Sequence, residues 1–121
     1  MQTSFTKRQI GAAIEKEVCD YLTQHGLQLT TKNYVCKVGE IDLIMKDQDM
    51  LVFVEVRYRK EEEYGDALNS VTPNKRRRII RAAQYYLQQN DLLDKIQCRF
   101  DVVAQNGQII QWIKNAFWVK W

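Results

Sequence analysis

Apolar residues recur at Ile10, Ile14, Val18, Tyr21 and Leu22, a helical stripe that predicts a helix from about Lys7 to His25. Gly26 follows where a C′ residue belongs, its missing Cβ tolerating a left-handed backbone. The pattern then turns strand-like. A short strand is expected near Leu29–Cys36, and Gly39 marks a bend. Glu40-Ile41-Asp42-Leu43-Ile44-Met45 alternates loosely, whereas Leu51-Val52-Phe53-Val54-Glu55-Val56-Arg57 is almost continuously apolar and β-branched. The polar Asp47-Gln48-Asp49 between them is a turn signal, so these two runs form a hairpin.

Beyond the charged Lys60–Tyr64 segment and Gly65, Thr72-Pro73 supplies a helix start, with Thr as N-cap and Pro at the first helical position. That second helix runs to about Gln89, with Asn90 near its end, and buries Ile79, Ile80, Ala83, Tyr86 and Leu87. Cys98–Ala104 and Gln108–Ile113 flank Asn106-Gly107, a strong hairpin signal. The order of helix, three strands, helix and two strands predicts an α/β fold. A mixed sheet of about five strands would carry one helix on each face, or both on one.

Length and composition narrow this further. The chain has 121 residues, one proline and five glycines, with no repeat or low-complexity tract, so one domain spanning 1–121 is expected. With 45% hydrophobic and 27% charged residues it reads as an ordinary globular chain. No apolar run approaches the length of a membrane span, and the N-terminus lacks the apolar stretch of a signal peptide. The three cysteines, Cys19, Cys36 and Cys98, form no CxxC pair, and the lone His25 does not complete a zinc set with them. A reducing cytoplasm is the expected location.

Net charge is only +3, but the cations cluster. Lys75, Arg76, Arg77, Arg78 and Arg81 crowd the start of the second helix, and Arg57, Arg59 and Lys60 form another group. Such patches suit a polyanion. They are also locally unfavourable at a helix N-terminus, where the macrodipole is positive. A solvated helix face is the alternative reading.

With the hairpin turn centred between Gln48 and Asp49, Asp42 lies opposite Glu55, and Glu40 opposite Arg57. Directly opposed side chains have Cβ atoms roughly 4.5–5.5 Å apart. Glu55 is embedded in an apolar run, and a like charge beside it adds to the cost of burying it. A divalent cation offsets that cost, and carboxylates suit hard Mg²⁺ or Mn²⁺. The alternative is that Glu55 pairs with an arginine at a sheet edge.

Gly39-Glu40-Ile41-Asp42-Leu43-Ile44 and Phe53-Val54-Glu55-Val56-Arg57-Tyr58-Arg59 together resemble the signature of the YraN-like family. That family is similar in fold to Holliday-junction resolvases of the PD-(D/E)XK nuclease superfamily. Gly11, Glu15, Tyr21-Leu22, Gly65, Lys75, Ala83, Leu87, Arg99-Phe100-Asp101-Val102 and Asn115-Ala116-Phe117 extend the match over most of the chain. The resemblance implies a restriction-endonuclease-like core. It also implies Asp42 and Glu55 as metal ligands, the Val56 carbonyl as a third, and Glu15 as a further acid. Periodicity alone does not choose between Glu15 and Glu17, which border the helical stripe on opposite sides.

Two positions depart from the superfamily pattern. Its proline before the first acid is Ile41 here, which affects geometry little; the catalytic lysine two residues after the second acid is Arg57, and a guanidinium cannot act as a base. It can still hold a phosphate oxygen and stabilise developing charge. Lys75 shares a helical side with Ile79, Ala82 and Tyr86, so it is expected either to approach the site from the second helix or to remain a solvated member of the basic run. The aromatic residues Trp112, Phe117, Trp118 and Trp121 are read as docking the C-terminus or forming an interface, with a homodimer contact or base stacking as alternatives.

The leading expectation is a Mg²⁺- or Mn²⁺-dependent endonuclease binding or cleaving DNA, including branched DNA. Asp42, Glu55, Arg57, Glu15 and Lys75 would be its active site, and Arg59, Arg76, Arg77, Arg78 and Arg81 its nucleic-acid contacts. The alternatives are a non-catalytic nucleic-acid-binding module that retains the fold, and a structural scaffold.

Overall fold

The computed structural model describes residues 5–58, 68–107 and 109–119. Arg59, Lys60, Tyr64, Gly65 and Trp121, singled out above, lie outside the described residues. The first helix, α1, spans Lys7–Gln24 and opens on a reciprocal cap. Thr6 Oγ1 accepts from the Gln9 N–H at 3.1 Å, and Gln9 Oε1 accepts from the Thr6 N–H at 2.8 Å. It ends at His25, and Gly26 follows with φ +99°. Ile14, Val18 and Leu22 form its buried stripe. Ile10, expected to join them, is instead 41% exposed in the helix's first turns.

Strands β1 (Gln28–Cys36), β2 (Gly39–Asp47) and β3 (Met50–Tyr58) form an antiparallel meander. The second helix, α2 (Pro73–Gln89), then carries the chain over to β4 (Cys98–Gln105), which pairs with β3 in parallel. Finally β5 (Ile110–Phe117) returns antiparallel to β4, giving the order β1-β2-β3-β4-β5. The last strand starts later and runs further than the Gln108–Ile113 expected. Asn106-Gly107 follows Gln105, whose partner is Ile110, so the connection is longer than the two-residue turn expected; Gln108 lies outside the described residues.

The mixed five-stranded sheet carries one helix on each face. On the α2 side, Ile44, Leu51, Phe53, Phe100, Val102 and Phe117 pack against Ile79, Ala82, Ala83, Tyr86 and Leu87. Phe53 and Phe100 stack at 5.2 Å, and Phe100 and Phe117 at 4.9 Å. On the α1 side, Leu43, Met45, Val52, Val54 and Val103 meet Ile14, Val18 and Leu22. Among the described residues no helix is long and apolar enough to cross a membrane.

Two features bring the ends of the elements together. Gly39 lies so close to α2 that a Cβ there would stand 2.6 Å from the Arg78 carbonyl oxygen. Strict alternation also fails across Asp42, because Ile41 belongs to the α2-side core with Ile44, not with Leu43 and Met45. The β2–β3 ladder correspondingly ends at Leu43↔Val54.

Candidate functional site

Asp42 and Glu55 lie one position beyond that last ladder pair, so the direct pairing expected of them is not part of it. Up to Leu43↔Val54, the turn at Gln48, with φ +56°, gives the register expected from the sequence. With the ladder finished, the Val56 N–H is free to donate to Asp42 Oδ2 at 2.8 Å, which holds the Asp42 carboxylate beside β3. Glu55 faces α2 and is only 6% exposed. Lys75 enters from the first turn of α2, its Nζ 3.2 Å from Glu55 Oε1. Thr72, the N-cap, fixes that turn by accepting from the Lys75 N–H at 3.2 Å. Arg57 stands farther from Glu55, at 4.0 Å, and donates from Nε to Ser70 Oγ at 3.2 Å.

These groups line a cleft of about 490 Å³ between α1, the β1–β2 turn and the start of α2. Its electrostatics are unfavourable to the acids. Burial, and then the Asp42 charge, push the Glu55 carboxyl from its ordinary 4.5 up to about 7, with Lys75 and Arg57 opposing. Burial also raises Asp42, against the pull of the Val56 N–H, the Glu55 carboxyl and Lys75. The two acids act on each other, the Asp42 charge disfavouring ionisation of Glu55. Glu15, half-buried on α1, is raised by burial and by Asp42, and its hydrogen bond to the Asn33 side chain partly opposes the shift.

Among the described residues, no three His, Cys, Asp or Glu side chains gather closely enough to form a protein-only metal cage. Asp42 and Glu55 instead make an all-oxygen pair with an open side to the cleft. That donor set fits Mg²⁺ or Mn²⁺, ions commonly held by one or two carboxylates with water and substrate phosphate completing the shell. The charge repulsion within the pair is also what a cation would relieve.

The other candidate residues separate clearly. Glu17 turns away from the cleft and accepts from Gln105 Nε2 at 3.0 Å, so Glu15 is the acid of α1 that lines it. Arg78 lines the cleft, and Arg77 and Arg81 are exposed on α2, Arg77 bonded to Asn74 Oδ1. Arg76 is committed elsewhere. It donates to the Val71 and Leu68 carbonyls at 2.9 and 3.1 Å and lies over the Phe117 ring. Trp112 and Phe117 turn inward, whereas Trp118 is 83% exposed. Asn33 and Ser70, which hold Glu15 and Arg57, went unsignalled because isolated polar residues in a strand and a loop carry no periodic mark.

Comparison with known proteins agrees on kinship. The chain is 51% identical over 115 residues to a UPF0102 protein of Coxiella burnetii, covering 94% of this chain and 96% of that one. It is 47% identical over 119 residues to a UPF0102 protein of Nitrosococcus oceani, covering 95% and 96%. A Klebsiella pneumoniae relative is 48% identical over 111 residues, covering 91% and 87%. The model of the uncharacterised protein family UPF0102 matches residues 14–104, and the chain belongs to that family.

Proposed function

We propose that the protein is a metal-dependent nuclease of the PD-(D/E)XK type acting on DNA, with its active site in the Asp42–Glu55 cleft. The observation that carries this reading is a pair of neighbouring carboxylates, Glu55 buried and Asp42 half-buried, open to a cleft, with an ammonium at 3.2 Å from Glu55. Perturbed acids of this kind concentrate at functional sites.

Asp42 and Glu55 would hold Mg²⁺ or Mn²⁺, with the Val56 carbonyl as a third donor. The ion would supply Lewis-acid stabilisation at a phosphoryl oxygen. Lys75, 3.2 Å from Glu55, would take over the role of the missing superfamily lysine, since its amine, unlike a guanidinium, can exchange a proton. Arg57 is held by Ser70 for charge stabilisation. Glu15 adds negative charge on the far side of Asp42, and Arg77, Arg78 and Arg81 offer cations to flanking phosphates.

A second reading, a binding module without turnover, is favoured by one observation: Arg57 occupies the lysine position. Titration calorimetry with Mn²⁺ on wild type and Asp42→Asn tests the ligand pair, and equal heats would remove it. Labelled linear, single-stranded and four-way-junction DNA incubated with Mn²⁺ separates the two readings. Cleavage lost in Lys75→Ala supports the enzyme, whereas salt-dependent binding with no cleavage of any substrate supports the module.

A further inference from the structure

The cleft also contains a feature that neither the carboxylates nor the basic run explains. Gly11 stands inside α1, where glycine costs roughly 0.5–1 kcal/mol relative to alanine. Its backbone is ordinary helix, and a Cβ there would meet nothing within 4 Å. Neither conformation nor packing within the molecule calls for glycine, yet the residue lines the cleft. Tyr58, the last residue of β3, lines the same cleft and is 48% exposed. It follows Val56 by two positions, and Val56 packs with the α1-side core, so alternation sets Tyr58 on the α1 side too. Across the opening, the end of β1 presents Val35 at 69% exposure and the turn after it Val38 at 37%. An apolar, side-chain-free strip and an aromatic ring therefore share one compartment with Lys75 and Arg78.

We propose that Gly11 and Tyr58 form a slot for one unpaired nucleobase, so that the preferred substrate is a nucleic-acid strand with an unpaired nucleotide beside the phosphate at Asp42–Glu55. This rests on the nucleic-acid reading of the cleft. A flat base needs an apolar face on each side, and the missing Cβ at Gly11 leaves room for one while the Tyr58 ring supplies a stacking partner. Lys75 and Arg78 place positive charge where the neighbouring phosphates would run. The cleft volume of about 490 Å³ suits a nucleotide-sized ligand rather than a duplex.

The test uses the full chain with divalent metal chelated, so that strands stay intact. A short single strand carrying one 2-aminopurine, its fully paired duplex, and the same strand with an abasic site are titrated at low salt. Wild type is expected to quench the 2-aminopurine and to bind the single strand more tightly than the duplex or the abasic strand. Tyr58→Ala should lose about tenfold in single-strand affinity and the quenching, while leaving duplex binding within about twofold; Tyr58→Phe should retain both. Gly11→Ala should raise Tm yet weaken single-strand binding, a pairing of signs that a structural role alone does not give. Single-strand binding unchanged in both Tyr58→Ala and Gly11→Ala, without quenching in wild type, overturns the slot even if the enzyme cleaves with Mn²⁺. Quenching without any Mn²⁺-dependent cleavage leaves the slot standing and removes the nuclease. No binding of any strand removes both.

Discussion

Two buried carboxylates sit on neighbouring strands and meet opposite fates. Asp101 on β4, 1% exposed, is enclosed by donors. Arg99 Nε reaches both its oxygens at 3.0 and 3.2 Å, the Trp112 indole N–H donates at 2.9 Å, and the Asn115 backbone N–H donates at 2.9 Å. Arg99 in turn extends to Asp47 at 3.0 Å, tying β4 to the β2–β3 turn. Glu55 on β3 is nearly as buried, but it has one ammonium, a distant guanidinium and a second acid beside it. Burial alone therefore does not mark a functional acid. The distinction is whether fixed donors surround it, because an acid with a full donor set stabilises the fold, whereas one without it is costly until something binds.

Substitutions should break this comparison with opposite signs. The largest effect is expected from Asp101→Ala, which leaves Arg99 Nε and two further N–H donors without their acceptor, although Arg99 keeps Asp47; roughly 3–5 kcal/mol of stability should be lost in urea unfolding. At Glu55 the sign reverses. Its folded-state pKa, about 7, lies above the ordinary 4.5, so the folded state holds more protons between those values. Metal-free stability is thus full below about pH 4.5 and falls as pH rises through 7. Between pH 5 and 8 wild type should lose about 2 kcal/mol that Glu55→Gln does not, with denaturant midpoints at both pH values as the measure. Thr72→Ala removes the cap that fixes the turn carrying Lys75 and should cost about 1 kcal/mol at either pH, seen in thermal unfolding. Smallest is Lys75→Met. Because Lys75 is 40% exposed and solvent-screened, its loss should cost under about 1 kcal/mol, confined to pH above 7 where Glu55 is charged. An equal loss at pH 5 would mean that Lys75 acts through packing of its stem instead.

Local chemistry made much of this legible in the sequence. The Thr72-Pro73 start, the Gly26 stop and the turn at Gln48-Asp49 each require particular backbone angles, and α2 and the β2–β3 register follow from them. What escaped depends on tertiary geometry. The stripe of α1 does not say where the helix overhangs the sheet, so Ile10 continues the stripe yet is exposed. A run of cations looks uniform in sequence, yet Arg76 is taken up by the Val71 and Leu68 carbonyls while Arg78 faces the cleft. Asp101 carries no sign of burial in the sequence, since its four hydrogen bonds come from Trp112, Asn115 and a neighbour two positions away, Arg99, whose direction only the strand fixes.

The close approach of Gly39 to Arg78 has a consequence for how this site can be lost over generations of sequence drift. Gly39 bears no chemical group, yet its 2.6 Å clearance sets how near the β1–β2 turn stands to the helix that carries Lys75. A single methyl there would shift one wall of the cleft while leaving every acid and cation in the chain. A descendant could keep its whole signature and still lose the shape of the cleft, so an inventory of reactive residues is an incomplete guide to which relatives retain it.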